Sequence, residues 1–134
     1  MSDLSKSLRT RVWQKTGGKC WYCGKDLVHV NRETTQSVPV EYWFTIDHAT
    51  PVNCGGNHKI ENLLPCCRSC NSAKSEMTVE EFRATRIRKR LCIPTFTPDQ
   101  IAYLLSIGVT LPEITPGPAD LFFAERETTD AIEF

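Results

Sequence analysis

No apolar run in this chain approaches the roughly 20 residues needed to cross a bilayer, and the opening Met1-Ser2-Asp3-Leu4 lacks the apolar stretch of an export signal. A membrane span and classical secretion are therefore not expected, and a cytoplasmic location is. Internal repeats and low-complexity tracts are also missing. Basic residues are nearly absent from one end: Ile93 to Phe134 holds 1 Lys+Arg against 7 Asp+Glu, a charge of −6, whereas Met1 to Cys92 holds 15 against 9, or +6. The net charge of zero is thus a basic body with an acidic end, and the body is suited to an anionic partner. What is present is ordinary for a folded chain, with hydrophobic residues at 40% and charged residues at 24% of 134. This length predicts one domain with an appendage: residues 1–92 as the body and 93–134 as an acidic helical segment.

Seven cysteines are too many for a chain without an export signal to use as disulfides, and an odd count cannot pair completely. Cys20-x2-Cys23 and Cys67-x2-Cys70 form two matched pairs. Two residues between thiolates let both sulfurs reach one ion at about 2.3 Å, and two pairs complete a tetrahedron. The expectation is a closed, structural Zn²⁺ site that clamps the intervening chain. Cys66 is an alternative to Cys67, although only Cys67 repeats the spacing of the first pair. Cys54 and Cys92 have no partner at ligand spacing and read as packing residues.

Periodicity places the rest. Leu8 and Val12 lie on one face of a first helix, with Asp3 as a cap and Gly17-Gly18 as its stop. Val40 to Ile46 is aromatic and β-branched and reads as a strand with Asp47-His48 at its end. A loop with Pro51 and Gly55-Gly56 leads to a second short strand candidate, Ile60 to Leu64, closed by Pro65, and a helix follows Cys67. Thr78-x-x-Glu81 opens a basic helix running toward Arg90. Thr97-Pro98 opens another that ends at Gly108.

Between the cysteine pairs stand Ile46-Asp47-His48, Gly55-Gly56, Asn62-Leu63 and Cys67-x2-Cys70-Asn71-x2-Lys74. From Leu8 to Ser75 the chain resembles the HNH (His-Asn-His) endonucleases, the ββα-metal nucleases, in their cysteine-bracketed subgroup, with asparagine (Asn71) at the third position. The resemblance implies an α+β fold: a small ββα-metal core with a structural four-cysteine zinc site, flanked by N- and C-terminal helices. It implies His48 as general base, Asp47 and Asn71 as ligands of a catalytic Mg²⁺ or another divalent cation such as Mn²⁺, and Asn62 as a support for the histidine-bearing loop. An imidazole with an ordinary pKa of about 6.5 suits the base. One carboxylate and one amide oxygen suit a hard, mostly hydrated cation.

The expected activity is metal-dependent hydrolysis of DNA phosphodiesters, by nicking or double-strand cleavage, leaving 5′-phosphate and 3′-hydroxyl ends. RNA is an alternative substrate. Arg68, Lys74, Arg83, Arg86 and Arg90 are the expected phosphate contacts. A zinc-stabilised nucleic-acid-binding module with an idle catalytic outline is the alternative function, and a purely structural zinc-clipped domain a third. The acidic segment is expected either to dock on a partner, including a second copy, or to fold over the basic groove. Leu121-Phe122-Phe123 gives it an apolar anchor.

Overall fold

The computed structural model describes residues 5–111 and 113–126. Helix α1 covers Lys6–Gln14. Its cap is Ser5, whose hydroxyl accepts the Leu8 N–H at 3.1 Å; Asp3, expected in that role, lies outside the described residues. Gly17 and Gly18 take left-handed φ of 62° and 86° after the helix. A side chain at Gly18 would strike the Trp13 ring, so glycine here ends the helix and lets the chain fold back beneath it.

Strands β1 (Phe44–His48) and β2 (Leu63–Cys67) form a two-stranded antiparallel sheet in which Phe44 faces Cys67 and His48 faces Leu63. Both strands start later than their composition suggests. Val40–Tyr42 and Ile60–Asn62 are instead single 3-10 turns leading into them. Strand β2 also runs through Pro65, the residue expected to close it. The Pro65 carbonyl points away from β1 and accepts the Trp21 N–H at 2.8 Å. An N–H on that outward side would make no ladder bond, so proline costs the sheet nothing.

Helix α2 (Arg68–Lys74) follows β2 directly and packs on β1, while α1 packs on β2. These layers bury every residue of β2. Helix α3 (Val79–Arg90) opens with the anticipated capping box, Thr78 accepting the Glu81 N–H and Glu81 accepting the Thr78 N–H. Helix α4 (Pro98–Ser106) repeats it with Thr97 and Gln100. This is the small α+β arrangement the sequence implied.

The core joins Val12, Leu27, Phe44, Ile46 and Leu63 to Tyr22, Phe82 and Phe122. The last of these comes from the acidic segment. Phe122 is stacked on Phe82 and meets Tyr22 edge-on, and the N–H groups of Phe123 and Ala124 donate to the carbonyls of Tyr22 and Trp21. Residues 117–126 therefore form a strap docked on the chain's own body. Among the described residues no helix is long and apolar enough to cross a membrane.

Candidate active site and metal centre

The Cys20-Trp21-Tyr22-Cys23 turn closes with the Gly24 N–H on the Cys20 carbonyl at 2.9 Å. It meets the β2–α2 junction, where Cys67 caps the helix and Cys70 sits on its first turn. The Sγ atoms of Cys20, Cys23, Cys67 and Cys70 all lie within 4.8 Å of one another, and none is in a disulfide. Cys23 and Cys67 are 3.8 Å apart, the edge of a tetrahedron with Zn–S bonds of about 2.3 Å. Packing the thiols together divides them. Cys20 falls to about 3, first through the hydrogen bond with Cys23, whereas Cys70 is driven up by its bonds with Cys20, Cys23 and Cys67. Only a cation among the sulfurs lets all four ionise. The donor set and its spacing are those of a structural zinc site.

Cys66 is not a member. Adjacent strand residues point to opposite faces, and its thiol is buried in the core with Sγ 3.2 Å from the Cys67 carbonyl. Cys54 and Cys92, expected to be packing residues, are exposed; neither lies on an element that faces the core.

Asp47 and His48 close β1, and Asn71 lies on α2, which packs against that strand. Together with Ile46, Pro51, Val52, Asn53, Ser75 and Glu76 they line one cleft of about 500 Å³. The Asn71 amide nitrogen donates to the Thr45 hydroxyl at 3.0 Å, which turns the amide oxygen into the free, ligand-capable end. The Asp47 carboxylate is 5% exposed. It accepts the Tyr22 phenol at 2.6 Å and the Lys74 ammonium at 3.1 Å. Burial pushes this carboxyl above the usual range, opposed by the Tyr22 hydrogen bond and the Lys74 charge. A carboxylate has about four lone-pair sites, so these two donors do not exhaust it.

His48 is half-buried. Burial, and then the charge of His58, hold its imidazole below the ordinary value, which favours the neutral form a base requires. His58 is an exposed loop residue whose Nδ1 lies 3.0 Å from His48 Nε2. Asn62 explains the approach: it accepts the Thr50 N–H and donates to the carbonyls of Thr50 and Asn57, tying the two arms of the loop together. Gly56 lies under this tie, where a Cβ would sit 1.8 Å from the Thr50 carbonyl oxygen. The Asn53 amide donates to Glu76 at 3.1 Å, bringing a second carboxylate to the cleft. His58 and Glu76 left no local signature, because long-range loop geometry alone brings them in.

The expected phosphate contacts divide. Arg68 is exposed at the start of α2. Lys74 is fully buried, bonded to Asp47 and to the His48 carbonyl at 2.8 Å; it neutralises the carboxylate from within and is not a surface contact. Arg83 is 5% exposed, chelated by Glu80 and Glu125 and donating to the Asp120 carbonyl. The strap covers it, so it too is withdrawn from solvent. Arg86 and Arg90 remain exposed, Arg90 paired with Asp120 at 2.6 Å.

No curated protein matches the chain significantly. A model of the HNH endonuclease family does match residues 20–76, spanning both cysteine pairs, the Asp47-His48 strand end, Asn62 and Asn71. With its sulfur cluster and ββα core, this stretch of the chain is an HNH endonuclease domain.

Proposed function

We propose that the protein is a metal-dependent DNA endonuclease that hydrolyses phosphodiester bonds to 5′-phosphate and 3′-hydroxyl ends. The observation that carries this is the convergence of His48, Asp47 and Asn71 on one cleft beside the four-cysteine cluster. The hard oxygens of Asp47 and Asn71 fit Mg²⁺ or Mn²⁺, a cation that keeps most of its waters and completes its shell with substrate phosphate. Held there by Asp47 and Asn71, such a cation would supply positive charge to the phosphate and the departing 3′-oxygen. The rest belongs to the chain. Neutral His48 takes a proton from water, the resulting hydroxide attacks phosphorus in line with the 3′-oxygen, and the P–O3′ bond breaks, the departing 3′-oxygen taking a proton from solvent. Asn62 holds the loop that aims the imidazole. Tyr22 and Lys74 hold the Asp47 carboxylate, and Thr45 holds Asn71. One such site per chain nicks one strand; cutting both requires a second copy or a second visit.

A second reading has one observation in its favour. Lys74 already supplies a positive charge 3.1 Å from Asp47, as in a nucleic-acid-binding module that has no catalytic cation. Supercoiled plasmid incubated with the protein in Mg²⁺, in EDTA, and with His48→Ala separates the two. Relaxed circles with Mg²⁺ alone, carrying ligatable ends, are expected of the enzyme. No cleavage, with DNA affinity intact, makes it the binding module.

A further inference from the structure

Apart from the His48 cleft, a cavity of about 300 Å³ opens between α3 and the strap, and four guanidinium groups line it: Arg83, Arg86, Arg90 and Arg126. Three come from successive turns of α3. The fourth is the only basic residue after Cys92, and the docking of Phe122 brings it to this place. Like charges gathered in one cavity repel, so each needs an anion nearby. Arg83 has Glu80 and Glu125. Arg90 has Asp120, which also lines the cavity. Arg86 lies over the Phe82 ring at 5.6 Å. Among the described residues, neither Arg86 nor Arg126 has a carboxylate partner, and both are exposed.

We propose that Arg86 and Arg126, with Arg90, form a docking site for a backbone phosphate of the nucleic-acid substrate, remote from the scissile one. This rests on the nucleic-acid reading above and names where that substrate is gripped. The guanidinium fork matches phosphate oxygens in pairs. Arg83 is the buried frame of the site: its chelation by Glu80 and Glu125 fixes α3 against the strap, so that Arg86 and Arg126 line one cavity. Asp120 tempers the site by engaging Arg90, which keeps the grip moderate and releasable.

The test is binding of a labelled DNA duplex across a series of salt concentrations, with no divalent cation added, so that cleavage does not intervene. Arg86→Ala/Arg126→Ala removes two exposed side chains and should leave the melting temperature unchanged. It should weaken binding and flatten the plot of log K against log salt by about 1 for each phosphate no longer engaged. Asp120→Asn keeps the oxygen that accepts the Gly117 N–H but frees Arg90; it should tighten binding and steepen the slope. Arg88→Ala/Lys89→Ala removes the same charge outside the cavity and should change the slope less. An unchanged slope in the Arg86/Arg126 variant, or an equal loss in the Arg88/Lys89 control, overturns the site. Saturable binding of inorganic phosphate that this variant abolishes, with its DNA slope intact, overturns the nucleic-acid assignment. Salt-dependent binding without plasmid cleavage leaves the site standing and removes only the hydrolytic reading. A wild-type protein that binds no nucleic acid removes both.

Discussion

The Tyr22 phenol donates to the Asp47 carboxylate at 2.6 Å, so a residue standing between two zinc-type cysteines holds the carboxylate of the proposed catalytic cation. The sulfur cluster and the cleft are thereby parts of one hydrogen-bonded unit. Lys74, one turn beyond Cys70, completes it from the other side. Each member can be tested by removal.

Tyr22→Phe keeps the ring in the core and deletes only the donor. The variant should lose about 1–3 kcal/mol of stability by chemical denaturation. It should retain its zinc and cleave more slowly at saturating DNA. Wild-type turnover in this variant would show that the phenol does not position Asp47.

Lys74→Met should be more costly, about 3–5 kcal/mol at neutral pH, because it strands a buried carboxylate. The sign with pH follows from the Asp47 shift. Burial raises this carboxyl in the folded state and Lys74 opposes the rise, so without Lys74 the folded pKa climbs further. A folded pKa above the unfolded one means stability that is present at low pH and lost as pH rises through the folded value. The deficit of Lys74→Met should therefore be smallest at acidic pH and grow as pH rises through the raised folded values of Asp47, above the ordinary carboxylate range. Urea unfolding at acidic and neutral pH measures this, and a pH-independent deficit would mean the ammonium is not compensating Asp47.

Cys67→Ser should abolish stoichiometric zinc and the cooperative melting transition, since an ion held by the four sulfurs would join segments more than forty residues apart. Cys66→Ala should keep the zinc and lose only about 1–2 kcal/mol of packing. Metal analysis and thermal unfolding of the pair discriminate between neighbours that the sequence leaves equivalent in kind.

His58→Ala should move the acid limb of the cleavage–pH profile upward. The His58 charge and burial both hold His48 below its ordinary value, and the substitution relieves both. A higher pKa leaves less neutral base at a given acidic pH, so the variant should lose activity most near pH 6 and least above pH 8. A parallel loss at every pH would mean that His58 acts on something other than the titration of His48.

Asn62→Ala removes one acceptor and two donor bonds that tie the His48–His58 loop. About 1–3 kcal/mol of stability should go with them, together with a fall in turnover that exceeds the change in DNA affinity. Gly56→Ala should resemble it, because its Cβ would meet the Thr50 carbonyl. Full activity in both would leave the loop without a role in aiming the imidazole.

What could be known from the order of residues alone is what short spacing controls. Two thiols three positions apart reach one ion, a threonine three residues before Glu81 caps a helix, and Asp47-His48 ends an aromatic, β-branched run whatever surrounds it. The cysteine cluster, α3 and α4 were legible for that reason; the His48–Asp47–Asn71 grouping came instead from the resemblance to the HNH endonucleases, because Asn71 stands too far along the chain for spacing to join it to the other two. Burial and long-range approach were not. A lysine on the turn after Asn71 has the same local pattern whether it faces solvent or is buried against Asp47. The arginines at 83, 86 and 90 look alike until Phe122 docks, the strap covers one of them and Arg126 joins the cavity they line. Proline at position 65 reads as a strand end until its carbonyl is seen to face the knuckle. Which charges stay in water depends on which distant segment packs over them, and in this chain that was decided by the strap and the loop tied by Asn62.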